Sequence, residues 1–270
     1  MAIRSGNPFP TAGGGPAPAL AAAAAVLPLR ILAEGDSWFE YPNFLGAGVI
    51  FQLEQKMNAL FLNLATAGDE ARYMLGVDER KVLSDQLKSA LDKGRPFDAL
   101  LFSGGGNDIV GTPLVLWLKT FVNGMTAKDV IDAPRFGAAL GLVRAAFEDL
   151  FLIRDQNSPN TKIFLNAYDL AIPDGRGVCG FGPWLQPSLR ARGVPQPLRR
   201  EVVKELMTQF GAMLTVLADP ARKVFLVPTQ GTFAGHDELW ANELHPTVFG
   251  FRAIADKFRA SLKAEFPGQV

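Results

Sequence analysis

The stretch Leu-Arg-Ile-Leu-Ala-Glu-Gly-Asp-Ser-Trp, residues 29–38, decides the fold of this chain. Residues 29–33 have the composition of a short buried strand, and the polar tetrapeptide 35–38 follows directly. In an open parallel sheet, ligands bind in the crevice outside the carboxyl ends of the strands. We therefore expect Ser37 at the mouth of such a crevice.

Four more short apolar runs look like buried strands, and helical patterns lie between most of them. The five predicted strands are Arg30–Ala33, Leu60–Leu64, Ala99–Phe102, Lys162–Asn166 and Lys223–Val227. Runs that are apolar on both faces are typical of a parallel sheet covered by helices on both sides. The alternation predicts the α/β class, with a five-stranded parallel sheet in a three-layer α/β/α sandwich.

The spacing of apolar residues predicts the helices. Amphipathic helices are expected at Ile50–Asn58, Val82–Lys93, Ala138–Ile153 and Arg199–Ala218. The last helix is expected after Pro246, because proline suits the first turn of a helix. Its apolar residues recur at helical spacing: Phe251, Ile254, Phe258 and Leu262.

We expect a single domain, residues 29–270, after a flexible leader of residues 1–28. The leader has one upstream basic residue, Arg4, and runs straight into the first strand, so a secretion signal is not predicted. No apolar run reaches the ~18 residues that a bilayer span requires. These features predict a cytoplasmic protein. Two inserts, about 111–136 and 174–198, interrupt the pattern, and long loops of this kind often act as lids or binding loops.

Composition excludes several classes of function. Lys+Arg and Asp+Glu both number 27, so the chain lacks the basic excess of a nucleic-acid-binding protein. A local basic cluster is interpreted as a solvated loop and helix start: Arg190, Arg192, Arg199 and Arg200. The single cysteine, Cys179, excludes an intrachain disulfide and a cysteine-based zinc site. Residues 175–180 spell G-x-G-x-x-G, but no helix follows, so a dinucleotide site is not predicted.

Three polar clusters follow Ser37 in chain order: Ala-Gly-Asp at 67–69, Gly-Gly-Asn-Asp at 105–108, and Glu-Leu-His-Pro at 243–246. Each stands after a predicted strand or before a helix. In this order, the four clusters resemble the blocks of the SGNH (GDSL-type) hydrolase superfamily over roughly Leu29–Leu262. The resemblance implies a flavodoxin-like strand order of 2-1-3-4-5 and a serine esterase without a cofactor or a metal.

The resemblance also implies a role for each cluster. Ser37 would be the nucleophile and His245, rather than His236, the general base. The backbone N–H groups of Ser37 and Gly68, with the side-chain amide of Asn107, would form the oxyanion hole. Taken alone, each cluster also has a structural interpretation. Ser37 and Asn107 could cap helices, and Gly68 could serve a turn.

One position departs from the superfamily pattern. Asn242 stands where an aspartate usually orients the catalytic histidine and stabilises its charged form. A backbone carbonyl or the Asn242 oxygen is expected to orient His245, with Glu243 as the next candidate. Asp237, Glu238 or a simple Ser–His dyad are further alternatives.

The substrate is expected to be a small-molecule ester with a lipid-like or short acyl chain. Trp38, Trp117 and Trp184 are candidates for an apolar pocket, although they could equally pack in the core. Sugar deacetylation and acyl transfer would use the same residues. A different class of function, a non-catalytic binding or scaffold protein, is suggested by Asn242. The sequence does not predict the oligomeric state.

Overall fold

A computed structural model describes residues 27–45 and 47–270. Five parallel strands form one sheet in the order β2-β1-β3-β4-β5, which confirms the predicted α/β fold and strand order. The strands are β1 (Leu29–Gly35), β2 (Ala59–Asn63), β3 (Ala99–Ser103), β4 (Lys162–Asn166) and β5 (Val224–Val227). The leader predicted for residues 1–28 lies outside the described residues, apart from its last two.

Helices cover both faces of the sheet. They are α1 (Val49–Glu54), α2 (Ala71–Met74), α3 (Val77–Asp92), α4 (Gly106–Ile109), α5 (Ala127–Val130), α6 (Ala133–Asn157), α7 (Gln186–Ala191), α8 (Gln196–Leu217) and α9 (Val248–Glu265). Helices α1 and α9 pack together, whereas α6 contacts both α3 and α8. Right-handed crossovers explain this division, because the chain moves one way from β1 to β2 and the other way from β2 to β5.

Several helices differ in length from the sequence prediction. Helix α1 ends at Glu54 instead of Asn58, because the N–H groups of Lys56 and Met57 both turn back to the carbonyl of Leu53. Helix α6 begins at Ala133, five residues earlier than predicted. Asp132 caps this end by accepting a hydrogen bond from the N–H of Arg135.

The two inserts contain short elements and pack against each other. In the first, Leu114 and Leu118 are fully or almost fully buried, so its apolar character serves packing. The N–H of Phe121 donates to the carbonyl of Arg192 in the second insert, at 2.8 Å. The Arg192 Nε donates in return to the carbonyl of Val115, at 2.9 Å. Both inserts lie beyond the carboxyl ends of β3 and β4 in the chain.

Residues 27–45 and 47–270 contain neither a candidate membrane span nor a candidate metal-binding cluster of side chains. No helix there is long and apolar enough to cross a membrane. In the same ranges, no group of three or more His, Cys, Asp and Glu side chains is placed to hold a metal ion.

Candidate active site

Ser37 lies in a tight turn at the carboxyl end of β1, and the neighbouring Asp36 fixes that turn. The N–H of Asp36 donates to the carbonyl of Ser103 at the end of β3, at 3.0 Å. One carboxylate oxygen of Asp36 accepts from the Trp38 N–H (3.0 Å) and the Ser103 hydroxyl (2.9 Å). The other accepts from the Tyr168 hydroxyl at 2.6 Å. The turn is thus held to two neighbouring parts of the sheet.

Asp36 remains largely ionised at neutral pH. Burial raises the pKa of Asp36 to about 6, and the hydrogen bonds from Tyr168, Trp38 and Ser103 oppose that rise. Asp36 therefore presents a carboxylate that accepts three hydrogen bonds. Its contacts are with the turn that carries Ser37 and with Ser103 and Tyr168, and not with His245.

His245 and Ser37, 208 residues apart in the chain, are in contact. The distance from Ser37 Oγ to His245 Nε2 is 2.8 Å, and both residues are more than nine-tenths buried. His245 lies in a turn just before α9, where its carbonyl accepts from the N–H of Ala241 at 2.9 Å. The other histidine, His236, is exposed and pairs with Glu238. The geometry thus brings together the serine and the histidine that the sequence singled out.

The oxygen of Asn242 orients His245. Asn242 Oδ1 accepts from the backbone N–H groups of Leu244 (3.0 Å) and His245 (2.9 Å), and lies 3.1 Å from His245 Nδ1. The amide nitrogen faces the Tyr41 hydroxyl at 3.3 Å. Because the two backbone donors fix which atom is the oxygen, Nδ1 must carry the proton. Nε2 then presents its lone pair to the Ser37 hydroxyl, which is the tautomer that a general base needs.

Burial lowers the pKa of His245 to about 4. The imidazole is therefore neutral at pH 7. Its ring is stacked on Tyr41, with centroids 4.4 Å apart, and meets the edge of Trp184 at 5.5 Å. No motif in the sequence pointed to Tyr41 as a neighbour of the histidine.

Gly68 lies on the loop that follows β2, and Asn107 lies in the short helix α4, which follows β3. Gly68 has φ +94°, a conformation that favours glycine, and a side chain at that position would meet open space. Asn107 Nδ2 donates to the carbonyl of Asp69 at 2.8 Å, which leaves its second N–H available. Asp108 holds the same loop by accepting from the N–H of Ala71 at 2.7 Å. The loop of Gly68 and helix α4 are thus fixed relative to each other.

Two cavities meet at Ser37. The larger has a volume of about 410 Å³, and Ser37, Gly68, Asn107 and His245 all lie on its wall. The described residues that complete this wall are uncharged and mostly apolar: Tyr41, Pro42, Phe44, Leu45, Ala67, Val178, Cys179, Phe181, Trp184 and Leu244. A second cavity of about 40 Å³ adjoins Ser37 and His245 and is lined partly by Trp38, Tyr168, Met207 and Trp240.

Solved structures share this architecture. Lipase Lip_vut3 from a goat rumen metagenome superposes with a TM-score of 0.56 at 18% identity, over 86% of this chain and 97% of that chain. Phospholipase A1 from Streptomyces albidoflavus NA297 gives a TM-score of 0.55 at 14% identity, over 87% and 99%. The extracellular lipase from Streptomyces rimosus gives 0.53 at 15% identity, over 86% and 99%. The chain has the SGNH hydrolase fold. No protein-family model matches the sequence, and no curated protein matches it.

The three tryptophans named from the sequence occupy different places in this SGNH hydrolase fold. Trp184 lines the larger cavity. Trp38 is 4% exposed and lines the smaller one, and its Nε1 donates to the carbonyl of Leu244 at 3.0 Å. Trp117 is not among the described residues that line either cavity; it packs against the core. The core interpretation, left open by the sequence, fits Trp117.

Glu243, the other candidate for orienting His245, is engaged elsewhere. It is fully buried, and its carboxylate accepts hydrogen bonds from four backbone N–H groups of the second insert. The donors and distances are Gly175 (2.9 Å), Trp184 (2.6 Å), Leu185 (2.7 Å) and Gln186 (3.0 Å). In this SGNH hydrolase fold, the histidine ring contacts Asn242, and the neighbouring carboxylate holds a loop.

Proposed function

We propose that this protein hydrolyses carboxylic esters through an acyl-Ser37 intermediate. The observation that carries the proposal is the continuous hydrogen-bonded row from Ser37 through His245 to Asn242, placed on the wall of an apolar cavity. A serine hydroxyl is a weak nucleophile unless a base removes its proton during attack. Here a neutral imidazole in the correct tautomer lies within hydrogen-bond distance of that proton.

The reaction runs in two halves. Ser37 Oγ attacks the ester carbonyl while its proton passes to His245 Nε2; the resulting imidazolium then protonates the departing alcohol. A water molecule next gives a proton to the same nitrogen and attacks the acyl carbon. The proton returns to Ser37 Oγ as the carboxylic acid leaves. No redox step or cofactor enters this balance.

The negative charge that develops on the carbonyl oxygen needs hydrogen-bond donors in place. We assign this role to the backbone N–H groups of Ser37 and Gly68 and to the free N–H of the Asn107 amide. Donors that are fixed before the reaction stabilise the transition state without a cost of reorganisation. The bond from Asn107 to the Asp69 carbonyl supports this assignment, because it holds the amide toward the loop of Gly68.

The imidazolium that forms during the reaction has no carboxylate beside Nδ1. Asn242 offers an oxygen dipole, and Tyr41 offers the face of its ring, stacked 4.4 Å from the histidine. Aromatic faces attract cations by about 0.5–2 kcal/mol. This arrangement supports a working but weaker base than an Asp–His pair provides.

The uncharged wall of the larger cavity supports an ester with an apolar acyl chain. The structures with the same fold are named as two lipases and a phospholipase A1, which agrees with an acyl chain as the group recognised.

Labelling with a fluorophosphonate tests the proposal against a non-catalytic scaffold. We expect the probe to modify Ser37 at pH 8, and mass spectrometry of the peptide should locate the adduct there. Ser37→Ala should remove the label, and His245→Ala should slow it strongly, because the base no longer activates the hydroxyl. A folded wild-type protein that takes up no probe would contradict the proposed hydrolase.

The pH dependence of kcat/KM should reflect the low pKa of His245. Activity requires the neutral imidazole, so kcat/KM should stay near its plateau down to about pH 5 and fall about tenfold per pH unit below about pH 4. The unfolded histidine binds its proton at about pH 6.5, so lowering the pH from there to 4 also costs about 3 kcal/mol of stability. Circular dichroism at each pH separates unfolding from titration.

Asn242→Asp tests whether the acid limb of this pH profile is the titration of His245. A carboxylate 3.1 Å from Nδ1 favours the imidazolium, so the acid limb should move to higher pH by about one to three units. Asn160→Asp, at an exposed position that pairs with Lys223, serves as the control. An acid limb that does not move in Asn242→Asp would remove His245 as the titrating base.

A further inference from the structure

Residues 175–186 form a projecting hairpin that we call the acyl arm. Val178 and Phe181 pair across it, with both N–H···O distances at 2.8 Å. The arm contains the glycine string 175–180 that spells a dinucleotide motif. The structure gives those glycines a different use, because a Cβ on Gly177 would come within 2.3 Å of the Phe181 carbonyl.

The acyl arm forms one wall of the larger cavity. Val178, Cys179, Phe181 and Trp184 all line it. Phe181 is 72% exposed and therefore lies at the rim, whereas Trp184 also reaches the edge of the His245 ring. An acyl chain in the cavity would run from the reacting carbonyl along this wall.

A single buried carboxylate holds the base of the arm. Glu243 accepts from N–H groups at both ends of the hairpin, from Gly175 at the start and from Trp184, Leu185 and Gln186 at the end. The N–H of Glu243 donates to the carbonyl of Arg176 at 3.2 Å, so the contact is made in both directions. Glu243 follows Asn242 directly and thus joins the histidine turn to the arm.

We propose that the acyl arm selects esters by the length of their acyl chain and that Glu243 is the positioning residue for that selection. The inference rests on the proposed ester hydrolysis and adds that the site discriminates between substrates by their acyl chain. Glu243 does not touch the reacting atoms and is not among the described residues that line the cavity, although it accepts from the backbone N–H of Trp184, which does line it. It would act indirectly, by fixing the position of the arm.

Selectivity for acyl-chain length can be measured because each buried methylene changes kcat/KM by a nearly constant factor. Burying one CH₂ improves kcat/KM by about fourfold. With the arm in place, log kcat/KM should therefore rise from the acetate to the octanoate ester of p-nitrophenol, in equal steps for each added methylene. If the arm is displaced, added methylenes stay in water and the steps shrink.

Glu243→Gln tests the role of the carboxylate. The substitution turns one acceptor oxygen into an NH₂ group that faces two N–H donors, so the base of the arm should open. We expect the octanoate ester to lose at least tenfold more kcat/KM than the acetate ester. Glu238→Gln, an exposed neighbour, should keep the wild-type steps. An equal loss for every chain length would overturn the proposal.

Gly182→Ala displaces the arm without changing Glu243. Gly182 has φ +78°, and a Cβ there would lie 2.6 Å from the Trp184 ring. Its control is Gly235→Ala, which carries the same strain at φ +78° with no atom within 4 Å. We expect the increase in log kcat/KM per methylene to be smaller in Gly182→Ala and unchanged in Gly235→Ala. Unchanged steps in a folded Gly182→Ala would overturn the proposal even where Glu243→Gln fails to fold.

The exposed thiol of Cys179 reports on the arm without any catalysis. In a Ser37→Ala background, decanoate should slow the reaction of Cys179 with a disulfide reagent, and Glu243→Gln should abolish this protection. Protection of Cys179 in this background, together with a wild-type protein that no fluorophosphonate labels, would refute the hydrolase and keep the arm. Labelling without protection and without chain-length steps would refute the arm alone.

Discussion

Ser37→Ala is expected to lower kcat for p-nitrophenyl butyrate by about 10⁴- to 10⁶-fold. The substitution removes the hydroxyl oxygen that would form the acyl intermediate, while the cavity and the proposed oxyanion donors stay in place. KM should change little, because the hydroxyl contributes to the transition state more than to binding of the ester. Steady-state kinetics on the purified variant measures both constants.

The Ser37–His245 contact makes this effect non-additive. His245→Ala alone should lower kcat by a similar factor. The double variant should be no slower than either single variant, because the two groups act as a unit. Ser84→Ala on α3 is the matched control and should leave kcat unchanged. Turnover at the wild-type rate in Ser37→Ala would take the serine out of the mechanism.

Asn107→Ala is expected to lower kcat by about 10²- to 10³-fold with KM nearly unchanged. The amide would donate to the oxyanion only as the tetrahedral intermediate forms, and a donor of that kind acts on kcat. Fluorophosphonate labelling of Ser37 should become slower as well, since the phosphoryl oxygen of the adduct would occupy the position of the oxyanion.

A second function of Asn107 has to be separated from this effect. Its amide also holds the carbonyl of Asp69, so Asn107→Ala could displace the loop of Gly68. Asp108→Asn weakens the hold on the same loop at Ala71 and leaves Asn107 intact. We expect a much smaller fall in kcat for Asp108→Asn. Equal falls in the two variants would assign the loss to loop position instead of the oxyanion.

The sheet and the grouping of the four clusters could be predicted because they depend on local patterns. A buried apolar run followed by polar residues predicts the carboxyl end of a strand, and parallel strands bring those ends to one edge. Ser37, Gly68 and Asn107 meet there for this reason, and His245 joins them from the turn before α9. The early start of α6 was missed although Asp132 and Pro134 signal it, because the prediction followed apolar spacing and not the cap.

The sequence named a backbone carbonyl or the Asn242 oxygen as the group that orients His245, but it could not choose between them, because the choice depends on which atom of Asn242 faces the ring. That choice is fixed by backbone donors at Leu244 and His245, and nothing in the residue types reveals them. Likewise Tyr41 stacks on His245 through a turn whose path is set by tertiary packing. Glu243 was considered for its charge, but its four backbone partners lie 57 to 68 residues away.

The two reactive groups come from opposite ends of the described chain, one after its first strand and one before its last helix. During synthesis the serine would emerge from the ribosome long before its partner exists. A nascent or prematurely terminated polypeptide would hold an inert hydroxyl, and esterolysis would begin only when translation had passed residue 245 and the final helix had docked. An assay of C-terminally truncated products should therefore detect ester hydrolysis only in those that include both His245 and α9.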